Sequence, residues 1–410
     1  MSQRRRILFV SEAVTLAQVV RLVVLARGLP RDEYEVHFAA AHFDELIFAG
    51  TDFRRWPLPS LSPAVIERRV RGGRRLYGLR TLRRYLRDDL AVIDAVKPDA
   101  IVGDLRLSLA VAAPLRGIPH LALINAYWSR YAVRDGFPLP DHPIVRLLGE
   151  KLAAQYFPRA LPAVFKHFAA PVNRLRRENR LPEIGSMPEV LAFGDQTLHP
   201  DPFRLVPTEG APPSHRHLGP VLWAPAVPRP AWWSRLDVQR PTVYVTLGSS
   251  GRSELLPAVV DAVAAVGAQA LVATAGRASL PNPPAGCHVA TYLPGDEAAT
   301  RADLVISNGG STTSYQALAA GRPVVGVASN LDQYLAMQAI TRAGAGILVR
   351  GGSARRETLE AAIRLGLEDA TMAARARAWA GDFVTGASNT PAAFVRALDA
   401  ALGSSRAATA

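Results

Sequence analysis

Cysteine and lysine are almost missing from this chain of 410 residues. The single cysteine, Cys287, excludes an intrachain disulfide and a cysteine-based zinc cluster, and reads as an inert core or strand residue. Lysine occurs only at positions 97, 151 and 166, so the formal charge of +13 rests almost wholly on arginine. No apolar run approaches the roughly 18 residues that a membrane-spanning helix needs. Arg4-Arg5-Arg6 ahead of Ile7-Leu8-Phe9-Val10 looks superficially like a secretory leader, but the run is short and Glu12 soon interrupts it. It reads as a buried first strand, and the expectation is a cytoplasmic protein. Internal repeats are absent, and low complexity is confined to the Ser/Ala tail after Gly403.

What is present is 49% apolar sequence, enough for sizeable cores, over a length that one core seldom supports. Residues 1–220 carry 32 Lys and Arg against 22 Asp and Glu, while residues 221–410 carry 16 against 13. The excess is densest at Arg68, Arg69, Arg71, Arg74, Arg75, Arg80, Arg83, Arg84 and Arg87. That run is a solvated helix face or a docking face for an anionic membrane or acidic acceptor. No nucleic-acid recognition pattern accompanies the charge, so a nucleic-acid partner is not expected.

Both halves alternate apolar strand runs with helical patterns, which predicts α/β architecture with parallel sheets. In the first half the strands are Ile7 to Ser11, Glu35 to Ala39, Ala100 to Asp104 and His120 to Asn125, with helices Leu16 to Leu29 and Leu107 to Ala113. Residues 127–180 are less regular, helix-leaning and rich in aromatics, including Tyr127, Trp128, Tyr156, Phe165 and Phe168. Pro225, Pro228 and Pro230 beside Trp232 and Trp233 mark a linker. The expected organisation is 1–221, a linker 222–240, a second domain 241–388, and a terminal helix and tail 389–410.

One segment is more informative than the rest. Leu304-Val305-Ile306 suits a buried strand, Asn308-Gly309-Gly310 a turn, and Thr312 to Ala320 a helix stopped by Gly321 and Pro323. Such a turn suits a phosphate: the glycines permit close approach, hydroxyls from Ser311 to Ser314 can donate, and the helix start supplies unpaired N–H groups. No divalent metal or other cofactor is then required.

The order Asn308-Gly309-Gly310, Thr313, Gln316, Gly321-Arg322-Pro323 and Asp332-Gln333 resembles the donor-binding signature of family 1 nucleotide-sugar glycosyltransferases. The resemblance implies a GT-B fold, two Rossmann-like domains facing across a cleft. It implies Gly248 and Ser249 in a phosphate-side loop, Tyr292 beside the nucleobase, and Thr313 and Ser314 near the diphosphate. Ser311 and Thr312 would lie in the same turn, Gln316 near the ribose, and Asp332 and Gln333 on the donor sugar. The aromatics of residues 127–180 fall roughly where relatives build an acceptor pocket, although ordinary helix packing explains them equally well.

Three donor positions depart from the family pattern. Asn308 stands where most relatives have histidine, Thr312 where many have glycine, and Gln316 where glutamate is common. The donor is therefore a UDP or a dTDP sugar, with UDP slightly ahead. In the other half, the catalytic histidine would fall at Gln18, which takes no proton near neutral pH. Asp104 matches the aspartate that orients that histidine, and Glu12 ends the first strand beside it. Either is a candidate base, and Asp104 could instead be a helix cap and Glu12 a solvated loop carboxylate.

The expected activity is metal-independent, inverting transfer of a sugar to a small, largely apolar acceptor, natural product or lipid-like. The protein would be cytoplasmic or peripheral to a membrane through the Arg68–Arg87 region. The rivals are a catalytically weak protein that binds nucleotide sugar as partner or sensor, and a sugar-nucleotide epimerase.

Overall fold

The computed structural model describes residues 4–12, 14–139, 141, 145, 147 and 149–409, and the side chains of residues 70, 71, 150 and 404–409 lie outside that description. The chain forms two compact units. The first comprises Met1–Asp135, Gly149–Val221 and Ala387–Ala410, and the second comprises Gly136–Leu148 and Leu222–Gly386. Residues 222–240, read as a linker, cluster with the second unit, as does the excursion Gly136–Leu148.

In the first unit, β1 (Arg5–Ser11), β2 (Tyr34–Ala40), β3 (Arg54–Pro57), β4 (Ala100–Asp104), β5 (His120–Leu123), β6 (Gln196–His199) and β7 (His215–His217) form one parallel sheet. The order is β3-β2-β1-β4-β5-β6-β7. The central strands are apolar throughout because helices cover both faces, and Ile7, Leu8 and Phe9 are wholly buried. The edge strand β3, Arg-Arg-Trp-Pro, is short, charged and ends in proline, which discourages pairing with another chain.

The helix Glu150–Glu178 occupies the later part of the stretch read as less regular and helix-leaning after residue 127, and it continues through Pro158, Pro162 and Pro171. Each proline forfeits one backbone bond. Phe165 and Phe168 pack against the core beside Val172 and Leu175.

In the second unit, β8 (Thr242–Thr246), β9 (Gln269–Ala273), β10 (Cys287–Ala290), β11 (Leu304–Ser307), β12 (Val324–Ala328) and β13 (Gly346–Arg350) form a parallel sheet ordered β10-β9-β8-β11-β12-β13. Its core gathers Val243, Val245, Val259, Val272, Ile306 and Val325. Cys287 is half-buried, and burial pushes its thiol up to about 11, so it stays protonated.

A last helix, Ala370–Thr409, runs through Pro391 and far exceeds the expected Pro391 to Leu402. Within the second unit Phe383 packs on Tyr315. Within the first, Phe394 packs on Phe9, and the Thr390 hydroxyl lies 3.1 Å from the Leu218 and Pro220 carbonyl oxygens.

Candidate functional site

In an open parallel sheet, ligands bind beyond the carboxyl ends of the strands where the strand order reverses. In the second unit that point lies between β8 and β11. The loop after β8, residues 248–251, and the turn after β11, Asn308-Gly309-Gly310, meet there. Asn308 Nδ2 donates to Ser250 Oγ at 3.0 Å, and Asn308 Oδ1 accepts from the Gly310 N–H at 2.9 Å. Asn308 thus ties the two loops together. Gly309 has φ +77°, and a Cβ there would stand 2.9 Å from Met337 Cγ, so packing as well as backbone conformation demands glycine.

The turn's own N–H groups are spent internally, because Gly309 donates to Ser307 Oγ and Gly310 to Asn308. The donors left for an anion are the Thr312 and Thr313 N–H groups in the first turn of the helix Ser311–Ala319, which have no intrahelical acceptor. Thr312 and Thr313 are half-buried, and their hydroxyls take no hydrogen bond among the described residues. Ser314 differs from the expectation: it is fully buried and its hydroxyl lies 3.2 Å from Ser307 Oγ. It faces inward, one residue out of phase with Thr313, and is removed from the phosphate-facing set. Ser311 is buried, and Gly248 and Ser249 are half-buried in the facing loop.

Around this centre the other donor candidates divide. Tyr292 is half-buried with no hydrogen bond among the described residues. Gln316 Nε2 donates to the Trp223 carbonyl, which leaves its Oε1 as the remaining acceptor. Asp332 is exposed at the first turn of the helix Leu331–Arg342. Gln333 is buried and engaged: its Oε1 accepts from the Ser329 N–H at 2.8 Å, and its Nε2 lies 3.4 Å from the Ser250 carbonyl. As placed, Gln333 braces the β8 loop instead of presenting its amide to a sugar.

The first unit has its own reversal point, between β1 and β4, where Glu12, Gln18 and Asp104 come together. Gln18 caps its helix, its Oε1 accepting from the Val14 and Thr15 N–H groups at 3.2 Å each. Its Nε2 takes no bond among the described residues, and the residue is 8% exposed. Asp104 accepts from Arg21 Nε and Nη2, both at 3.0 Å, so it is a guanidinium partner and not the helix cap; Ser108 holds that position. Arg21 also reaches Asn125, whose amide donates to Asp201 at 2.7 Å. Leu105, immediately after Asp104, is held at φ +57°, a strained conformation for leucine.

Glu12 is 0% exposed, which overturns its reading as a solvated loop carboxylate. Its Oε2 accepts from Arg106 at 2.9 Å and its Oε1 from the Tyr85 hydroxyl at 2.8 Å. Arg106 also donates to Asp89 at 3.0 Å and lies 3.7 Å over the Tyr85 ring. Burial pushes the Glu12 carboxyl above its usual range, with Arg106 drawing it part of the way back. Burial works against the Arg106 charge as well, but Asp89 and Glu12 outweigh it and keep the guanidinium protonated.

Residues 257–400 match the erythromycin biosynthesis protein CIII-like, C-terminal domain family. The chain is 44% identical over 383 residues to a PGL/p-HBAD biosynthesis glycosyltransferase of Mycobacterium tuberculosis, covering 93% of this chain and 89% of that one. The chain belongs to the family 1 glycosyltransferases. This glycosyltransferase is also 47% identical over 350 residues to a PGL/p-HBAD biosynthesis rhamnosyltransferase of Mycobacterium bovis, covering 85% of this chain and 78% of that one. Its fold matches the solved spinosyn rhamnosyltransferase SpnG complexed with thymidine diphosphate, at TM-score 0.66 and 19% identity, over 96% of this chain and all of that one. The fold is therefore GT-B, with two Rossmann-like α/β units, and the protein is an enzyme. The non-catalytic and epimerase readings give way to that assignment.

The sequence reading of this glycosyltransferase missed Arg21, Asn125, Arg106 and Asp89. A signal for Arg21 existed: it follows Gln18 by three residues on a helix otherwise apolar at Val19, Val20, Leu22 and Val23. Charge inside such a run needs a buried partner. Asp89 lay hidden in an acidic pair with the half-exposed Asp88, and nothing in their order distinguishes them.

Proposed function

We propose that this glycosyltransferase moves a deoxyhexosyl group, rhamnosyl in the first instance, from a dTDP sugar to a hydroxyl of a small, largely apolar acceptor, natural product or lipid-like. Transfer is a direct displacement with inversion and uses no metal ion. The diphosphate is received by the start of the helix Ser311–Ala319 with the Thr312 and Thr313 hydroxyls, where fixed N–H and O–H donors stabilise the departing charge. Peripheral attachment to an anionic membrane belongs to the same reading.

The commitment of Gln316 is the observation that carries the dTDP preference over UDP. Its Nε2 is held by the Trp223 carbonyl, so one oxygen remains to accept from a ribose hydroxyl. A glutamate offers two acceptor oxygens and rewards a ribose with both 2′- and 3′-hydroxyls; a lone amide oxygen is satisfied by the 3′-hydroxyl of deoxyribose. The thymidine diphosphate bound to SpnG and the rhamnosyltransferase of M. bovis point the same way.

In the acceptor half, Gln18 offers Nε2 to the acceptor oxygen, and Asp104 holds Arg21 in place instead of serving as base. Glu12 drops out, since both its oxygens are engaged inside the core. The acceptor oxygen then bonds to the anomeric carbon as the bond to the departing diphosphate breaks, and the acceptor proton leaves late, to solvent water. Transfer assays with dTDP-rhamnose and UDP-glucose over a panel of hydroxylated apolar acceptors test the reading. The dTDP sugar should be preferred, Gln316→Glu should move the preference toward UDP, EDTA should leave the rate unchanged, and NMR of the product should show the inverted anomer. Preference for UDP in the wild type, or loss of activity on chelation restored by magnesium, would sink the corresponding part.

A further inference from the structure

The helix Glu150–Glu178 is buried along one side only. Val172 and Leu175 face the core of the first unit, Leu161 is buried on the same side, and the opposite side carries Leu152, Tyr156, Arg159, Ala163 and Lys166, spaced i, i+4, i+7, i+11 and i+14. All five are exposed, Leu152 at 48% and Tyr156 at 53%. An apolar stripe interleaved with cations suits an interface between oil and anions better than it suits water.

The helix Leu79–Val96 packs beside this one. Arg83 donates to Glu178, with its Nε at 2.9 Å, and Arg75 lies 3.1 Å from His167. These two links hold the arginine run alongside the stripe. Residues 68–87 contain nine arginines and no acid. Arg80, Arg84 and Arg87 line a shallow open depression with Arg83 and Thr81, and Arg74 is exposed nearby.

We propose that this combined face docks on the surface of an anionic phospholipid bilayer. The arginines lie among the headgroup phosphates, and Leu152 and Tyr156 enter the boundary with the acyl chains. Charge complementarity selects the lipid surface: Arg83 is matched by Glu178 and Arg87 by Asp88, but a neutral apolar partner would leave Arg74, Arg80 and Arg84, which pair with no acid among the described residues, unmatched, and an acidic protein would not need the apolar stripe. The proposal rests on the transferase reading only for its purpose, bringing the enzyme to where a lipid-like acceptor lies.

The test is sedimentation of the full chain with vesicles of phosphatidylcholine alone or mixed with phosphatidylglycerol, with no donor or acceptor present. Binding should require phosphatidylglycerol and should fall steeply toward about 1 M salt, where the Debye length is about 3 Å. Each arginine removed should weaken binding about fivefold, so Arg74→Gln, Arg80→Gln, Arg84→Gln and Arg87→Gln together should abolish sedimentation. Leu152→Ser with Tyr156→Ser should weaken binding and leave its salt dependence. Because all six residues are exposed and lie outside the donor loops, dTDP affinity should be unchanged in both variants, which also reports folding.

Equal binding to neutral vesicles, full binding by the arginine variant, or no vesicle binding would overturn the proposal. Transfer to a detergent-dispersed acceptor is measured separately. Transfer without vesicle binding refutes the docking face and the peripheral attachment and leaves the sugar transfer standing, whereas vesicle binding without transfer refutes the transfer and leaves the docking face.

Discussion

Two neighbouring hydroxyls on one helix should behave in opposite ways. Thr313 is half-buried and its hydroxyl takes no hydrogen bond among the described residues, whereas Ser314 is buried with its hydroxyl at Ser307. Thr313→Val keeps the side-chain shape and removes one donor to a charged phosphate. A hydrogen bond to a charged group contributes about 1.5–3 kcal/mol, so the Kd for dTDP should rise roughly 10- to 150-fold, with the urea midpoint scarcely moved. Ser314→Ala removes a bond between two buried neutral groups, a loss of about 1 kcal/mol that should appear in the urea midpoint. Ser307 Oγ still receives the Gly309 N–H in that variant, so the turn keeps its anchor and the Kd should stay near wild type. Calorimetric titration of dTDP into each variant, paired with urea denaturation, separates the two effects. The reasoning fails if Ser314→Ala weakens dTDP as much as Thr313→Val does, or if Thr313→Val binds like wild type.

Three further outcomes are expected. Gln18→His alone should not raise turnover, because Arg21 already occupies both oxygens of Asp104 and the new imidazole has no orienting partner; the wild-type kcat should also show no ionisation near the usual histidine pKa of about 6.5. Arg106→Met should leave Glu12 and Asp89 buried without their counter-charge and cost about 3–5 kcal/mol, read from urea denaturation, with Glu12→Gln in the same chain recovering part of the loss. Burial holds His120 at a pKa of about 4, so the unfolded chain protonates it first as the pH falls below about 6.5; its share of stability, complete above that pH, should shrink by about 3 kcal/mol by pH 4, and His120→Gln should flatten that part of the profile relative to wild type.

How far the sequence could be read depended on how each element is stabilised. Strands buried on both faces advertise themselves as apolar runs: Ala100 to Asp104 emerged with the expected bounds, and the run Leu304-Val305-Ile306 opens β11. β6 and β7, Gln-Thr-Leu-His and His-Arg-His, did not, because their polar side chains are satisfied by neighbours. Thr197 Oγ1 donates to the Ala192 carbonyl, and Arg216 donates to Gln196. Three prolines blurred the helix Glu150–Glu178 into a helix-leaning stretch without bounds, since local propensity argues against what packing on Val172 and Leu175 sustains.

The two reversal points explain why one site was legible and the other was not. At β8 and β11 the work is done by backbone and by short side chains next to it, so glycine, hydroxyl and amide residues fall in a compact order from Asn308 to Gln316. Sequence can carry that order directly. Even there, facing was lost, because Thr313 and Ser314 have the same chemistry and differ only in helical phase, and Gln333 looks like a ligand until the Ser329 N–H is found to hold it. At β1 and β4 the arrangement is made by long side chains from distant elements. Arg21, Asp104, Asn125 and Asp201 span 180 residues, and Glu12, Asp89 and Arg106 close a second cluster across the same sheet edge. Asp104 is therefore not vacant beside Gln18. It holds the guanidinium of Arg21, one turn on from Gln18 along the same helix, so a base introduced at position 18 should become effective only when Arg21 is displaced as well.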